Sequence, residues 1–465
     1  MQKTCDICGR RAGTLVDRIV ENGRTVEYAY CEACYKRALK SGTEPRELAE
    51  KHLARRGREC GSCGYTEEAF KESFLFGCPD CYREMRRVAL DVTARAQGNS
   101  AVRIAEDGKF GIKKESDGAV GFKSADICGV DDLVRDNVVS SRIRLARNVE
   151  ATVFPHLMRG VDSRTVEIIN GATDACKGVF DGQVFPMSGL SKNQKKVLVE
   201  RHFISLSLAN NGENGALILE KGNRPQMSVM VNEEDHIREQ CVADGHSLPE
   251  AYVRLHAYDV RLCERLPVAY DSQFGFLTAC PTNVGTGMRA SEMLFLPALR
   301  RTGAIDDALR TFKNAYGLTV RGFFGEGSEY AYDMYQISNS RTFGVNETET
   351  VRSVEEAAVR LCYFERIALE KLVRERKTSL IDGIFRSYGV LTSAYALTAQ
   401  ELMKLLVDVK IGVILGVLPV KSTALLNSII EQCSSSIEII NEGSSEDERN
   451  RQRAQIVRDT LAEAK

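Results

Sequence analysis

The run NEEDHIR, residues 232–238, sets Glu233, Glu234 and Asp235 side by side and follows them with His236 and Arg238. It comes directly after MSVMV (Met227–Val231), an unbroken apolar run that predicts a short buried strand. Adjacent carboxylates repel, and burying each is costly unless a cation meets it. Such a cluster at the mouth of a strand suits a site that receives a cationic ligand. Glu329, at the end of VRGFFGEGSE, is a second acid from a distant segment, and with Glu234 it can grip one cationic acceptor. Arginines supply the opposite charge. VVSSRIRLARN carries Arg142 and Arg144 at alternate positions, so a strand presents both on one face, and Arg147 follows. Arg289 lies just beyond the glycine-rich turn of CPTNVGTGMRAS, and Arg321 sits in VRGFFGEGSE. Guanidinium forks of fixed positive charge make a good cage for a triphosphate. The chain has no GxxxxGK(S/T) loop and none of the Gly-rich, HRD and DFG signatures of protein kinases.

Eight of the 15 cysteines form four Cys-x-x-Cys pairs within the first 81 residues. The opening MQKTCDICGR leads into no apolar export signal, so the pattern reads as metal binding rather than disulfides. Joining neighbouring pairs gives Cys5, Cys8, Cys31 and Cys34 as one site and Cys60, Cys63, Cys78 and Cys81 as another. The loops between them are short, which keeps closure entropy low; crossed pairing is the alternative. Four thiolates suit one structural zinc ion and leave no coordination position open for catalysis.

These groups need elements to hold them. A chain of 465 residues has room for several domains, and its net charge of -1 argues against a general nucleic-acid coat. The longest apolar run, residues 411–420, is about half of what spans a bilayer. The expectation is a soluble cytoplasmic protein with no membrane segment and no direct nucleic-acid binding. Residues 1–97 are cysteine-rich, and 98–130 are rich in glycine and charge and read as a linker. From 131 onward, strand-like and helix-like segments mix as in an α+β enzyme. Ala357, Leu361, Phe364, Ala368 and Leu372 recur at helical spacing and predict a helix over 354–377. Thr398 with Glu401 offers a capping box for another helix, and the charged C-terminus reads as a surface helix.

SSRIRLARN, NEEDHIR, FGFLTACPTNVGTGMRAS and VRGFFGEGSE…QISN resemble, in order, the motifs of the phosphagen (guanidino) kinase superfamily, and within it most closely those of the bacterial protein arginine kinases. The first 97 residues resemble the zinc-binding activator that partners this kinase in Gram-positive bacteria, without a recognisable UVR-type helical hairpin after the last cysteines. The resemblance implies an α+β fold. Its catalytic domain at 131–375 has an antiparallel sheet flanked by helices. Two small zinc ribbons at 1–97 precede it, and a mainly helical C-terminal domain at 376–465 follows. The implied reaction transfers the γ-phosphoryl group of Mg-ATP to arginine side chains of proteins. The implied cofactors are ATP, Mg2+ and two structural Zn2+.

By the same resemblance Glu234 is the base, with Glu233 its neighbour, and Glu329 the second clamp. Cys280, in ACPTN, is the reactive cysteine beside the acceptor, with nearby arginines favouring its thiolate. Arg142, Arg144, Arg238 and Arg289 line the ATP phosphates, Arg321 joins that cage, and His202 lies near the nucleotide base. Asp235 orders the magnesium shell or the loop, and Arg238 is a permanent counter-charge to the acids. Two departures favour a protein-borne arginine over a free one. Phe324 stands where small-molecule arginine kinases carry a basic residue, and zinc ribbons replace their helical N-terminal domain. In DERNRQRAQIVRD, Asn450 stands after Arg449 where the family has an aspartate, which weakens the expected phosphoarginine docking. Implied partners are proteins with exposed arginine, an ATP-dependent protease chaperone, a heat-shock repressor and a second copy of the chain in a homodimer. The alternatives are a zinc-ribbon scaffold with a weak or inactive kinase fold and a kinase of free guanidino compounds.

Overall fold

The structure is a computed structural model that describes residues 5–8, 11–21, 24–55, 59–97, 130–158, 160, 163–210, 214–322, 331–433 and 444–463. Apart from Val130, which opens a helix, the stretch expected as a linker lies outside these residues. Among the described residues no helix is long and apolar enough to cross a membrane.

A hairpin of β1 (Leu15–Glu21) and β2 (Arg24–Tyr30) belongs to the first cysteine cluster. The catalytic half is built on an eight-stranded antiparallel sheet. Its strands are β3 (Val138–Arg147), β4 (Gly182–Pro186), β5 (Ala216–Glu220), β6 (Met227–Val231) and β7 (Ile237–Asp244). After a two-residue ladder of β8 (Tyr270–Asp271) with β9 (Gly275–Phe276) come β10 (Met288–Phe295), β11 (Leu318–Gly322) and β12 (Met334–Asn339). The spatial order is β11-β12-β10-β3-β7-β6-β5-β4.

Side chains alternate across a strand, so each sheet face takes every second residue. Ile143, Leu145, Ile237, Cys241, Met288 and Ala290 point to one face, where helices Ser163–Ala175, Leu248–Arg265 and the first half of Glu347–Ser393 cover them. The register sorts the other face. Arg144 lies opposite Arg289 and Gln240, and Arg142 opposite Ser291 and Val242. Arg238 pairs with Ala146, while Arg321 pairs with Gln336, itself opposite Met293. Five arginines thus share one face. Arg147, an odd number of residues from Arg144, falls on the core face. There it is 0% exposed, makes two bonds of 2.8 Å to Asp259 and stacks on Phe276 at 3.5 Å.

The helix expected over 354–377 runs from Glu347 to Ser393, capped by Asn346, whose side chain accepts from Glu349 N at 2.7 Å. It breaks locally at Arg376 (φ -137°, ψ 30°) and continues through Leu380, Ile384 and Leu391 into a second core. Thr398 caps helix Ala399–Ile414, accepting from Glu401 N at 3.1 Å. The C-terminal helix, Glu446–Glu463, corrects the sequence expectation of a purely solvated surface. Ala454, Val457 and Leu461, at spacings of three and four, are fully buried against that second core.

Each cysteine quartet closes as joined neighbours, with all four sulfurs within 4.8 Å of one another. Measured separations are 3.9 Å for Cys8–Cys31, 3.7 Å for Cys60–Cys78 and 3.6 Å for Cys63–Cys81. Tetrahedral zinc with Zn–S of about 2.3 Å sets sulfurs roughly 3.8 Å apart, so both sites fit the ion. The clusters differ in what surrounds them. Among the described residues, the first has Ile7 as its apolar neighbour besides its own cysteines. The second shares one core with the catalytic half, in which Phe70, Phe76, Tyr82 and Met85 meet Phe154, Phe274, Leu277, Val284 and Phe343. Arg83 adds a bidentate bridge to Glu150, at 3.0 and 2.5 Å.

Metal analysis should therefore find two zinc ions per chain. Replacing Cys60 and Cys63 by serine should leave one, and should lower the melting temperature of the whole chain more than serines at Cys5 and Cys8 do. Equal shifts in a thermal melt would contradict the shared core.

Candidate active site

Five guanidinium groups crowd the arginine face. The Nε atoms of Arg142 and Arg144 are buried and accepted by no oxygen. Burial lowers the Arg142 guanidinium to about 10, aided by Arg289, Arg321 and Arg238. Burial and the same neighbours, with Arg142, push Arg144 well below its ordinary range. Desolvated like charges with orphaned donors are an anion site in waiting, and the chemistry fits a polyphosphate. Arg142 also lines a cleft of about 1530 Å3 between this face and the C-terminal helices, with His202, Ser291, Leu402, Lys421 and Asn427. His202 sits at a φ of +60°, and burial, then Arg142 and Arg144, lowers it to about 4, so its ring is neutral at pH 7.

The acid cluster occupies the tight connection between β6 and β7. Asn232 takes a left-handed φ of +54°, which Asn tolerates, and its N–H reaches His236 O at 2.9 Å. Arg238 folds back to Glu233 (2.7 Å), Glu234 (3.0 Å) and Asp235 (3.6 Å). Glu233 is fully engaged, accepting also from Ser205 Oγ and Glu234 N, both at 2.7 Å. Burial raises its pKa, but Arg238 and these bonds bring it net below the ordinary value. Glu234 is a third exposed and touches Arg238 and Asn283 Nδ2, each at 3.0 Å. Burial, with Asp235 and Glu233 beside it, raises its pKa against the pull of Arg238.

Asp235, 0% exposed, braces the loop through one of its oxygens. Its Oδ1 accepts from Ala279 N (2.8 Å) and Asn148 Nδ2 (2.7 Å). Asn148 also donates to Leu277 O and accepts from His236 N, which ties β3, the acid turn and the Cys280 loop together. The second ribbon closes the loop from outside, with Tyr82 Oη on Thr278 O and Phe76 N on Ala279 O, both at 2.8 Å. Gly285 lies at φ +113°, and a Cβ there would meet Thr342 O at 2.1 Å, so only glycine fits.

Cys280 corrects one expectation. Its thiol is raised, not lowered, by burial and then by Glu234, while Thr282 Oγ1 at 3.0 Å pulls the other way. The charges that act on it are carboxylates, and the arginines serve the sheet face. Glu329 and Phe324 lie outside the described residues. Arg449 donates to Ser444 O and Asn450 Oδ1 accepts from Arg453, so both are engaged locally. Asn148, Ser205, Asn283 and Thr282 were missed by sequence reasoning. Each is a small polar residue at a strand end or turn, a position that polar residues occupy for many reasons, and nothing local marks them.

Comparisons with known proteins agree with this geometry. The profile "ATP:guanido phosphotransferase, C-terminal catalytic domain" matches residues 164–368, "Protein-arginine kinase McsB C-terminal domain" matches 377–465, and "McsA central zinc-finger domain" matches 58–102. A protein-arginine kinase of Caldanaerobacter subterraneus subsp. tengcongensis is 39% identical over 289 residues, covering 62% of this chain and 85% of the relative. One of Moorella thermoacetica is 39% identical over 336 residues, covering 70% and 94%. Among solved structures, the duplicated taurocyamine kinase of Schistosoma mansoni with bound transition state analog components aligns at TM-score 0.51 and 23% identity. That alignment covers 70% of this chain and 46% of the duplicated one. Lombricine kinase aligns at 0.50 and 22%, covering 64% and 81%. At these identities the two structures speak for the fold.

Arg144→Met should raise the melting temperature of the ligand-free chain, because it removes a desolvated cation from among four others and puts apolar volume in its place. The same variant should lose measurable ATP binding in calorimetry. A destabilised variant that still binds ATP would mean that Arg144 has a partner in the native fold.

Proposed function

The chain belongs to the protein-arginine kinase family, and we propose that its cleft transfers the γ-phosphoryl group of Mg-ATP to arginine side chains of other proteins. The observation that carries this reading is a face of five crowded guanidinium groups, two of them with buried Nε atoms that have no partner among the described residues, joined through Arg238 to a carboxylate held at raised pKa.

A free guanidinium has a pKa above ~12 and is a poor nucleophile until one nitrogen gives up its proton. Glu234 is the group to take it, since a raised carboxyl is a stronger base than an ordinary one. Arg238 and Asn283 fix its orientation. The freed nitrogen attacks the γ-phosphorus, the N–P bond forms as the bond to the β,γ-bridging oxygen breaks, and ADP leaves. Charge spread over the phosphoryl oxygens meets Arg142, Arg144, Arg289 and Arg321, which are held before the reaction begins. His202, uncharged, suits a place near the nucleotide base. Glu329 is assigned as the second clamp on the acceptor. Cys280, a thiol under these conditions, orients rather than attacks. In this reading the acceptors belong to client proteins in the cytoplasm. A heat-shock repressor is among them, an ATP-dependent protease chaperone receives the marked chains, and the kinase works as a homodimer.

Incubation with Mg-ATP and either an unfolded casein-like protein or free arginine, followed by mass spectrometry for acid-labile phosphate, tests the reading. Label should appear on protein arginine. Label on the free amino acid alone would make this a small-guanidine kinase, and none at all would make it a scaffold.

Glu234→Gln should lower kcat by about 10^2–10^4-fold while ATP binding persists. In the native chain kcat should rise with pH through a group titrating above the ordinary carboxylate range, and that limb should vanish in the variant. A retained limb would reassign the base.

A further inference from the structure

The helix Arg86–Ala96 leads out of the second ribbon and ends on Gln97, which caps it and is only 4% exposed. A primary amide offers two donors and two acceptor lone pairs, and Gln97 uses all four. Its Nε2 donates to Pro281 O at 2.9 Å and Val284 O at 3.1 Å. Its Oε1 accepts from Thr342 N at 2.8 Å and Phe343 N at 2.7 Å. One side chain from the cysteine-rich region thus clasps two catalytic-half loops that are far apart in sequence. The first carries Cys280, Thr282 and Asn283, whose amide holds Glu234 at 3.0 Å. The second follows β12 and returns to the first through Thr342 Oγ1, which donates to Thr282 O and Val284 O.

We propose that Gln97 is a positioning residue of the kinase: it holds the Cys280–Asn283 loop, and through Asn283 the carboxylate of Glu234, in the geometry that receives the acceptor guanidinium. Among the described residues, the carbonyl of Pro281 and the N–H of Thr342 have no other hydrogen bond than the one to Gln97. Shortening Gln97 therefore removes four bonds from the two loops at once and leaves their direct contacts through Thr342 to hold them. The arginine face lies on the sheet, and none of the four hydrogen bonds of Gln97 reaches it. Gln97 accordingly acts on the acceptor half of the site and leaves the nucleotide half alone. A residue that served stability alone would not divide the two halves in this way.

The inference rests on the kinase reading, so the test carries an arm that needs no turnover. Gln97→Ala and Gln97→Glu are made in the full chain. Zinc content, ATP affinity by calorimetry, kcat with a protein acceptor, and the rate of iodoacetamide alkylation of Cys280, read on its peptide by mass spectrometry, are measured for each. Gln97→Glu keeps the volume and both acceptances but cannot donate to Pro281 O and Val284 O.

Both variants should keep two zinc ions and native ATP affinity. Gln97→Ala should alkylate Cys280 several-fold faster and lose kcat by up to about 100-fold, the scale on which a misplaced catalytic group acts; Gln97→Glu should fall between it and the native chain. A Gln97→Glu chain with native kcat and native Cys280 reactivity overturns the proposal, whatever the alanine variant does. So does a loss of ATP affinity equal to the loss of kcat. Should the native chain show no phosphotransfer at all, the alkylation rates still decide whether Gln97 sets the loop.

Discussion

Positive charge that has nowhere to discharge shapes the centre of this molecule. Arg142 and Arg144 sit half-buried on β3 beside Arg289, their Nε atoms buried, and desolvation and mutual repulsion both act against their charge. The pleat makes the arrangement possible. Every second residue of the same strand, Ile143 and Leu145, locks into the helical core beneath, so the arginines cannot swing away without dragging that core with them. Arg147 shows what the same side chain does with freedom to choose. On the opposite face it finds Asp259, two aligned bonds and an aromatic ring, and its guanidinium is raised rather than lowered. Two guanidinium groups with orphaned Nε atoms on one face and a fully paired one on the other, within six residues of one strand, mark the first as built for something that arrives.

The acid turn applies the same logic with the sign reversed. Three consecutive carboxylates share one counter-charge, Arg238, yet end in different states. Glu233 fills its lone pairs with Ser205 and a backbone N–H and settles below the ordinary range. Asp235 is spent on the loop that carries Cys280. Among the described residues Glu234 bonds Arg238 and Asn283, and it stays partly open. Neighbours in sequence thus end as a lowered carboxylate, a loop brace and a raised, partly open carboxyl because their partners come from different parts of the chain.

That division explains what could be read from the amino acids alone. The cysteine quartets were legible because ligand spacing is local and zinc chemistry is strict. The strand with Arg142 and Arg144 was legible because alternation is a local rule, and the odd offset of Arg147 already carried its fate. The buried stripe of the last helix, Ala454, Val457 and Leu461, was also written in the spacing, but the surrounding charges masked it. The sorting of Glu233, Glu234 and Asp235 was not legible. It depends on Ser205, Asn148, Ala279 and Asn283, which only folding brings near. The contact of Tyr82 with Thr278 joins residues 196 apart, and no local pattern announces it.

The second ribbon raises a question of energetics. Phe70, Phe76, Tyr82 and Met85 are almost fully buried, and each such side chain contributes about 1.5–3 kcal/mol when taken out of water. Much of that burial is against the catalytic half, including Leu277 and Val284 on the loop itself. A zinc ribbon has too few residues to build a core alone, so metal and catalytic domain share the task. The coupling runs both ways. Without the ribbon, the carbonyls of Thr278 and Ala279 could turn to water at little cost, since water satisfies them as well as Tyr82 and Phe76 N do. What could not be replaced is the apolar cover over Leu277 and Val284. The ribbon therefore acts less by supplying hydrogen bonds than by removing the loop's alternatives: it excludes water from one side while Asp235 and Asn148 hold the other. A loop confined from both sides keeps Cys280 and Asn283 in one place, and placement is what in-line transfer to a planar acceptor demands.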